Sequence, residues 1–347
     1  MSTRNGMMGV GNGRPKALAV GGAPFLTTIF PEEITERLAR SVEMSRPVST
    51  PELLGHPELL AEVEYLFTTW GVPKLEEETL CHAPKLRAVL HVAGSVRRIA
   101  TDALWRRGIV LTSSYAINAI PTAEFALAAI LLANKRAWHH AVSAKLNRSQ
   151  APADFQGRSR GAGNYGSVVG LLSYGAVARE LRRLLRNFQI RVLVCDPFLK
   201  PERAMQDEMT LVGMDELFST ADVVSVHTPL LPETTGLVGR EHLMRLKPYA
   251  SFINTSRGAI VDERALIDVL KERPDLQAIL DVTFPEPPEP ESPLYALPNV
   301  ILTPHLAGSL GRECWRMSEA MVTELERMIA GHPLRWQITR EHLVSMA

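Results

Sequence analysis

Three side chains that could bind an anion and move a proton each follow a predicted β-strand. Arg257 lies in the run Ile253–Gly258, Glu286 lies in the proline-rich loop after Asp281, and His305 follows a short apolar run. A guanidinium binds a carboxylate through paired donors, and an imidazole exchanges a proton near neutral pH. Each alone has an ordinary explanation: a surface arginine, a solvated glutamate or a structural histidine. Because ligands bind at the carboxyl ends of strands in open α/β sheets, the three together favour a site.

A glycine-containing turn provides a second candidate site. The run Gly170–Ala178 joins a predicted strand to a predicted helix and matches the dinucleotide fingerprint G-x-G-x-x-G/A at Gly175 and Ala178. Ser173 stands where the first glycine of that fingerprint belongs. On its own, the match fits either a nucleotide site or an ordinary tight turn between strand and helix.

An acidic residue at the end of the next strand favours the nucleotide interpretation. Asp196 closes the run Arg191–Cys195, 21 residues past Gly175, where a carboxylate accepts hydrogen bonds from the ribose hydroxyls of an adenosine. Its negative charge would repel a 2′-phosphate. The sequence therefore predicts NAD(H) rather than NADP(H).

The elements that must position these residues alternate along the chain. Short β-like runs separated by amphipathic helical segments fill residues 16–114, and a second series of the same kind fills residues 167–302. Such alternation predicts parallel sheets with helices on both faces. A helix is predicted over Thr122–Arg136, and residues 137–165 show little periodicity, which is typical of a lid, an arm reaching a partner subunit or a mobile segment.

Composition limits the classes of protein that need considering. The 347 residues suffice for about two domains, and 38 basic against 38 acidic residues give no net charge to attract nucleic acid. The three cysteines are widely spaced, which suggests neither a disulfide framework nor a zinc site and favours a reducing cytoplasm. The first fourteen residues lack the apolar segment of a secretory signal. The apolar run Phe125–Asn134 is about half the length of a membrane span, so no membrane partner is expected.

Five ordered motifs carry a resemblance to a known family. They are Ala123–Leu127, His227–Leu230 with Glu233–Thr234, Asn254–Gly258, Asp281–Val282 through Pro285–Pro287, and Leu302–Gly308. From about Lys16 onward, the chain resembles the D-isomer-specific 2-hydroxyacid dehydrogenases, which include phosphoglycerate, formate and glycerate dehydrogenases.

The resemblance implies catalytic roles for the three strand-end residues. Arg257 would bind the substrate carboxylate and the 2-oxygen, and His305 would be the general acid and base for the hydroxyl proton. Glu286 would hold the imidazole through its other nitrogen. The backbone amides of Ala93, Gly94 and Ser95 would bind the substrate carboxylate, together with Arg257 and His305.

The resemblance also implies NAD as the cofactor, with no metal. The predicted cofactor-binding residues are Ser173, Gly175, Ala176, Val177, Asp196, Thr228, Thr255, Asp281 and Gly308. Ala176 and Val177 would lie at the pyrophosphate, and Asp281 at the nicotinamide carboxamide. Activity would then be the NAD(H)-dependent interconversion of a D-2-hydroxy acid and its 2-oxo acid.

Departures from the family pattern leave alternatives open. Ser173 and Ala178 replace fingerprint glycines, which predicts an altered turn or weaker cofactor binding; alternatively, the Ser173 hydroxyl binds a phosphate. In the family, an acidic residue usually follows the loop that binds the substrate, and the stretch from His91 to Arg98 has none. Arg97 and Arg98 in that stretch either meet a second anionic group of the substrate or form a solvated pair.

The implied architecture is two Rossmann-like or flavodoxin-like doubly wound parallel-sheet domains, with the nucleotide domain inserted into the substrate domain. We assign residues 1–118 and 310–347 to the substrate domain and 119–309 to the nucleotide domain, with a dimerisation arm at about 134–165. A cytoplasmic homodimer acting on a small hydroxy or oxo acid is expected. The alternative is an NAD(H)-sensing binding protein or co-regulator that keeps the fold; the intact catalytic trio argues against it, and Ser173 argues mildly for it.

Overall fold

The chain forms two compact units, one inserted into the other. The computed structural model describes residues 13–148 and 161–345. The chain passes from the first unit to the second at 114/115, returns at 313/314 and enters the second again at 339/340. The predicted fold class, with one doubly wound domain inserted into the other, is confirmed.

The predicted domain boundaries differ from the observed changes of unit in detail. Boundaries were expected after 118 and 309, whereas the structure changes unit after 114 and 313. Residues 340–345 group with the second unit, although the sequence predicts them in the first. The predicted arm at 134–165 includes residues 149–160, which lie outside the described residues, as do residues 1–12 of the amino-terminal segment.

The first unit is built on a largely parallel sheet. Its strands are β1 (Lys16–Gly21), β2 (Glu43–Met44), β3 (Val48–Ser49), β4 (Tyr65–Thr68), β5 (Ala88–His91), β6 (Val110–Ser113) and β14 (Gln337–Ile338). They run in the order β14-β6-β5-β4-β1-β2, with β3 also paired to β1. Only β14 is antiparallel, at the edge beside β6. Apart from that edge, this is the flavodoxin-like order.

The second unit carries an all-parallel sheet in the order β13-β12-β11-β10-β7-β8-β9. Its strands are β7 (Val168–Leu172), β8 (Arg191–Cys195), β9 (Thr210–Leu211), β10 (Val223–Val226), β11 (Ser251–Asn254), β12 (Gln277–Leu280) and β13 (Val300–Leu302). The order reverses between β7 and β10, which is the switch point where open α/β sheets bind ligands. Most of these strands are buried along their length, which explains their Val, Ile and Leu content.

Helices connect the strands in both units. In the first unit they are α1 (Ala23–Ile29), α2 (Glu32–Ser41), α3 (Thr50–Gly55), α4 (Glu77–Leu80), α5 (Asp102–Arg106) and, from its second residue onward, α13 (Glu313–Ile329). In the second they are α6 (Tyr115–Asn134), α7 (Ala137–Asn147), α8 (Ala176–Leu185), α9 (Pro201–Gln206), α10 (Met214–Thr220), α11 (Arg240–Met244), α12 (Glu263–Glu272) and α14 (Arg340–Ser345). Short 3₁₀ helices occur at Pro57–Leu60, Pro232–Thr234, Gly258–Ile260 and Pro293–Tyr295.

The long helix α6 begins seven residues before the predicted start at Thr122 and keeps Pro121 in its interior. By length and composition alone it could cross a membrane, but its small residues Ala123, Ala126 and Ala129 are buried in one core with Leu181 of α8. Small side chains let two helices and a sheet approach closely. Helix α6 therefore has the packing of a core helix.

Candidate active site

Six of the predicted site residues come just after strands of the second unit, at the same edge of its sheet. Ser173 follows β7, Asp196 follows β8, Thr228 follows β10, Thr255 follows β11, Asp281 follows β12, and His305 comes shortly after β13. The parallel registers of these strands put their carboxyl ends side by side. The edge thus gathers residues that are more than 130 positions apart in the sequence.

His305 and Glu286 form a hydrogen-bonded pair. His305 Nδ1 lies 2.5 Å from Glu286 Oε1, and both side chains are a little under half exposed. An ionised carboxylate accepts hydrogen bonds and cannot donate them, so Nδ1 carries a proton in this pair. Nε2 is then the ring nitrogen left to exchange a proton with a bound molecule.

The backbone at His305 has a left-handed conformation, with φ of 50°, which is uncommon for residues other than glycine. Its N–H donates to the carbonyl of Asp281 at 2.9 Å and to that of Thr303 at 3.0 Å. A residue held in such a conformation costs about 1–3 kcal/mol and persists where the surroundings fix it. Asp281 is the residue that fixes it here.

The Asp281 carboxylate is buried beneath the turn that presents His305. Its Oδ1 accepts from Thr303 Oγ1 at 2.7 Å and from the Leu306 N–H at 2.9 Å, and its Oδ2 accepts from the Ala307 N–H at 3.0 Å. The side chain has only 2% of its surface exposed. The sequence assigned Asp281 to the nicotinamide; its contacts within the chain also anchor the His305 turn, which sequence reasoning missed together with Thr303.

Arg257 lies beside the Glu286 loop. Its turn is shaped by Asn254, whose Oδ1 accepts from the Ser256 N–H and whose amide donates to the Arg257 carbonyl. A Cβ on Gly258 would lie 2.0 Å from the carbonyl carbon and oxygen of Thr283, so only glycine allows this approach. Burial lowers the pKa of the Arg257 guanidinium, and the charge of Glu286 opposes that shift. The structure thus brings Arg257, Glu286 and His305 into one neighbourhood.

The Glu286 loop is fastened at two further points. The Phe284 N–H donates to Glu263 Oε2 at 2.8 Å, and Thr283 Oγ1 donates to the Pro285 carbonyl at 2.8 Å. Partial burial raises the pKa of Glu263. Glu263 lies at the start of α12, and sequence reasoning missed its role because its partner is a backbone N–H 21 residues away.

Ser173, which replaces the first glycine of the dinucleotide fingerprint, has a left-handed backbone conformation. Ser173 has φ of 73°, its N–H donates to the Cys195 carbonyl, and its hydroxyl lies 2.9 Å from Thr228 Oγ1. Thr228 Oγ1 also lies 3.3 Å from the Leu172 carbonyl. In this structure the Ser173 hydroxyl therefore pairs with Thr228.

The residues around this turn fit a dinucleotide. Gly175 is the residue before α8, and a Cβ added there would meet no atom within 4 Å, so the backbone is open to a phosphate. No side chain caps α8, whose first-turn N–H groups at Ala176 and Val177 can therefore bind an anion. Asp196 accepts from the N–H groups of Tyr174 and Phe198, one on each oxygen, both at 2.8 Å. Each carboxylate oxygen keeps a lone pair for a ribose hydroxyl.

Two buried polar atoms near the same strand ends have no hydrogen-bond partner among the described residues. They are Thr255 Oγ1, in a predicted cofactor residue, and His227 Nε2, in the motif His227–Leu230. Burial lowers the pKa of His227 to about 4, so its ring is neutral at pH 7.

Gly308 lies against Asn118 of α6, whose Oδ1 accepts from the Ser309 N–H. No cluster of metal-ligating side chains occurs in residues 13–148 and 161–345.

The predicted substrate loop belongs to the first unit. Ala93, Gly94 and Ser95 follow β5, and their carbonyls accept hydrogen bonds from side chains at the ends of β5 and β6. Arg97 and Arg98, which come shortly after Ser95, are exposed.

Comparison with known proteins identifies the family. A sequence profile of the NAD binding domain of D-isomer specific 2-hydroxyacid dehydrogenases matches residues 128–307. D-3-phosphoglycerate dehydrogenase of Archaeoglobus fulgidus is 32% identical over 263 residues, which cover 76% of this chain and 49% of that protein. Glyoxylate reductase of Korarchaeum cryptofilum is 32% identical over 254 residues, 72% of this chain and 75% of the reductase. The chain thus spans about half the length of the phosphoglycerate dehydrogenases that it matches.

Solved structures share the fold of this chain. The TT0316 protein from Thermus thermophilus superposes with a TM-score of 0.75 at 28% identity, covering 93% of this chain and 100% of that chain. A phosphoglycerate oxidoreductase from Rhizobium etli gives 0.78 at 24% identity, with coverage of 95% and 100%, and is similar in fold. From its matched motifs and its relatives, the chain belongs to the D-isomer specific 2-hydroxyacid dehydrogenases, and residues 128–307 are its NAD binding domain.

Proposed function

We propose that this protein catalyses the NAD(H)-dependent interconversion of a D-2-hydroxy acid and its 2-oxo acid. The observation that carries the proposal is the hydrogen bond between Glu286 and His305, with the Arg257 guanidinium held beside the same loop. An imidazole, a carboxylate and a guanidinium in one neighbourhood supply a proton carrier, its orienting partner and an anion-binding group.

Arg257 binds the substrate in this proposal. Its planar donors bond the carboxylate and the 2-oxygen of an oxo acid, and such charge-assisted bonds contribute about 1.5–3 kcal/mol each. Bound this way, the guanidinium also polarises the carbonyl that is reduced. The close approach of Gly258 to the Thr283 backbone places the Arg257 turn beside the Glu286 loop.

His305 moves the proton. In reduction, Nε2–H donates to the 2-oxygen as that atom becomes a hydroxyl, and in oxidation Nε2 accepts the same proton. Glu286 holds the ring through Nδ1 and stabilises the positive charge of the imidazolium. The buried carboxylate of Asp281 keeps the His305 turn in place throughout.

The turn around Gly175 and the Asp196 carboxylate would hold NAD(H), which would supply or accept the hydride. Ser173, Ala176, Val177, Thr228, Thr255 and Gly308 complete the proposed cofactor site. The charge of Asp196 opposes a 2′-phosphate, which favours NAD(H) over NADP(H).

Absorbance of NADH at about 340 nm, followed with a panel of 2-oxo and 2-hydroxy acids, tests the proposal. Glyoxylate and D-3-phosphoglycerate enter the panel first, because they give their names to two relatives. Turnover of at least one acid is expected. Tight NADH binding without turnover of any acid would instead favour the NAD(H)-sensing alternative.

We further propose a cytoplasmic homodimer. Cys81, Cys195 and Cys314 are all free thiols, as in a reducing compartment, and the arm predicted at 134–165 is the proposed contact between subunits. Light scattering coupled to gel filtration measures the mass of the particle, and a mass of about 38 kDa, that of one chain, would contradict the dimer.

A further inference from the structure

Four consecutive backbone carbonyls in the first unit, those of residues 92–95, each lie within hydrogen-bond distance of a side-chain donor. We call this segment the anchored loop. Thr69 Oγ1 donates to the Val92 carbonyl (3.1 Å), and His91 Nε2 donates to the Ser95 carbonyl (3.2 Å). Ser113 Oγ has one proton, which it shares between the carbonyls of Gly94 (2.8 Å) and Ala93 (3.1 Å). The donors stand at the ends of β5 and β6 or just after β4. Side chains from three neighbouring strands therefore set the orientation of the whole loop.

His91 is the ring among these donors, and its surroundings define its tautomer. Its Nδ1 lies 2.8 Å from Thr68 Oγ1, and its Nε2 lies 3.2 Å from the Ser95 carbonyl. A carbonyl only accepts, so Nε2 carries the proton and Nδ1 accepts from the Thr68 hydroxyl. Burial lowers the pKa of His91 to about 4, which leaves the ring neutral at pH 7.

The direction of the carbonyls determines the direction of the next amide groups. In a planar trans peptide, the C=O and the following N–H point in opposite directions. With the carbonyls of 93–95 turned toward Ser113 and His91, the N–H groups of Gly94, Ser95 and Val96 point away from those side chains. Within the part of the chain that the structure describes, no acceptor is found for these three N–H groups. Successive free N–H groups of this kind bind anions.

We propose that His91 is a positioning residue for the substrate: its Nε2–H fixes the Ser95 carbonyl and so aims the amides of the anchored loop at the carboxylate of a 2-oxo acid. The inference rests on the proposed function, which supplies the carboxylate. Thr68 acts with His91, because its hydroxyl selects the tautomer that donates to Ser95. A purely structural His91 would support the core without affecting anion binding.

The test uses the full chain with NADH bound, labelled with ¹⁵N-glycine, and titrated with oxamate as an unreactive analogue of a 2-oxo acid. The amide resonance of Gly94 should shift and saturate. His91→Phe keeps a ring but removes the donor to Ser95, and oxamate should bind about tenfold more weakly, whereas His91→Gln keeps a donor and should stay within about threefold of wild type. NADH affinity should change less than about twofold in both variants.

Thr68→Val is the second test variant, to be used if His91→Phe does not fold. This variant leaves the histidine in place and removes only the hydroxyl that contacts Nδ1, and it should also weaken oxamate binding. The matched control is Thr112→Val, because Thr112 is the buried neighbour of Ser113 on β6 and its hydroxyl contacts Met321 Sδ rather than the loop. The inference would be overturned if the Gly94 resonance did not move on titration. It would also be overturned if His91→Phe and Thr68→Val bound oxamate with wild-type affinity, or if Thr112→Val lost as much oxamate affinity as they do. Failure of every acid in the turnover panel, with the Gly94 response intact, would refute the proposed function alone.

Discussion

Glu286 Oε1 lies 2.5 Å from His305 Nδ1, although 19 residues separate the two in the chain. The pair joins the loop after β12 to the turn after β13, two neighbouring strands of the second unit. With Nδ1 committed to the carboxylate, the ring has one nitrogen left for chemistry. The proposed proton transfer therefore depends on Nε2.

Replacing His305 with alanine should remove most of the activity. The proton carrier is lost, so kcat should fall by about 10² to 10⁴. The dissociation constant of NADH, measured by fluorescence, should change little, because the dinucleotide turn is built around Gly175. His332→Ala, at an exposed position, is the control. Half of the wild-type turnover in His305→Ala would contradict the acid–base role.

Arg257→Lys should bind the acid poorly although it keeps the positive charge. A lysine ammonium lacks the planar pair of donors that matches a carboxylate and its 2-oxygen, so KM for the acid should rise at least about tenfold. Steady-state kinetics with the best acid of the panel measures this. Arg264→Lys, on the exposed side of α12, should behave as wild type. An unchanged KM in Arg257→Lys would refute the carboxylate clamp.

Asp196→Ser should relax the preference for NAD(H). The substitution removes the charge that would repel a 2′-phosphate, and serine still offers an oxygen to the neighbouring N–H groups. We expect the ratio of kcat/KM for NADH over NADPH to fall at least about tenfold. Asp215→Ser removes an exposed acid from the same unit and serves as the control. The same cofactor ratio in wild type and Asp196→Ser would place the discriminating acid elsewhere.

Thr303→Val tests the anchoring of the His305 turn by Asp281. The variant removes the 2.7 Å hydrogen bond from the Thr303 hydroxyl to the buried carboxylate while keeping the shape of the side chain. Because misplacement of a proton carrier slows the chemical step, kcat should fall about tenfold while KM for NADH stays within about twofold. Thr303→Ser restores the hydroxyl and should recover most of the rate. Equal kcat values for the valine and serine variants would rule out this role.

Much of the second unit could be predicted from the sequence, because strands buried on both faces must be runs of apolar residues. The run Arg191–Cys195 was predicted as a strand and is β8, with the same bounds, and the other strands of this sheet lie within the series predicted over residues 167–302. The glycine-containing turn and the strand-end Arg257, Glu286 and His305 then followed from where a parallel sheet binds ligands.

Other features depend on contacts that local sequence does not encode. The edge strand β14 has two residues, too few for any alternation, and it pairs with a strand more than 220 positions earlier. Helix α7 occupies part of a stretch where little periodicity was found, because its side chains have no marked apolar face. The Thr303–Asp281 and Ser173–Thr228 hydrogen bonds join residues 22 and 55 positions apart, and each could be recognised only once the strands were in register.

The two buried histidines predict that acid weakens the fold. Burial lowers the pKa of His91 and of His227 to about 4 in the native state, against about 6.5 in the unfolded chain. Between these values the unfolded state binds more protons, so the free energy of unfolding should fall as the pH drops from about 6.5 to 4. The slope is about 1.4 kcal/mol per pH unit for each histidine.

Urea denaturation of wild type and His91→Gln at pH 7 and pH 5 isolates the contribution of one histidine. Glutamine does not titrate, so His91→Gln should lose less stability between the two values than wild type does. His332→Gln removes an exposed histidine and should retain the wild-type dependence. Carboxylates titrate in the same range in all three proteins, so their effect cancels in the comparison. If His91→Gln lost as much stability as wild type, His91 would have to be protonated within the folded chain, and its hydrogen bond from Thr68 could not exist as described.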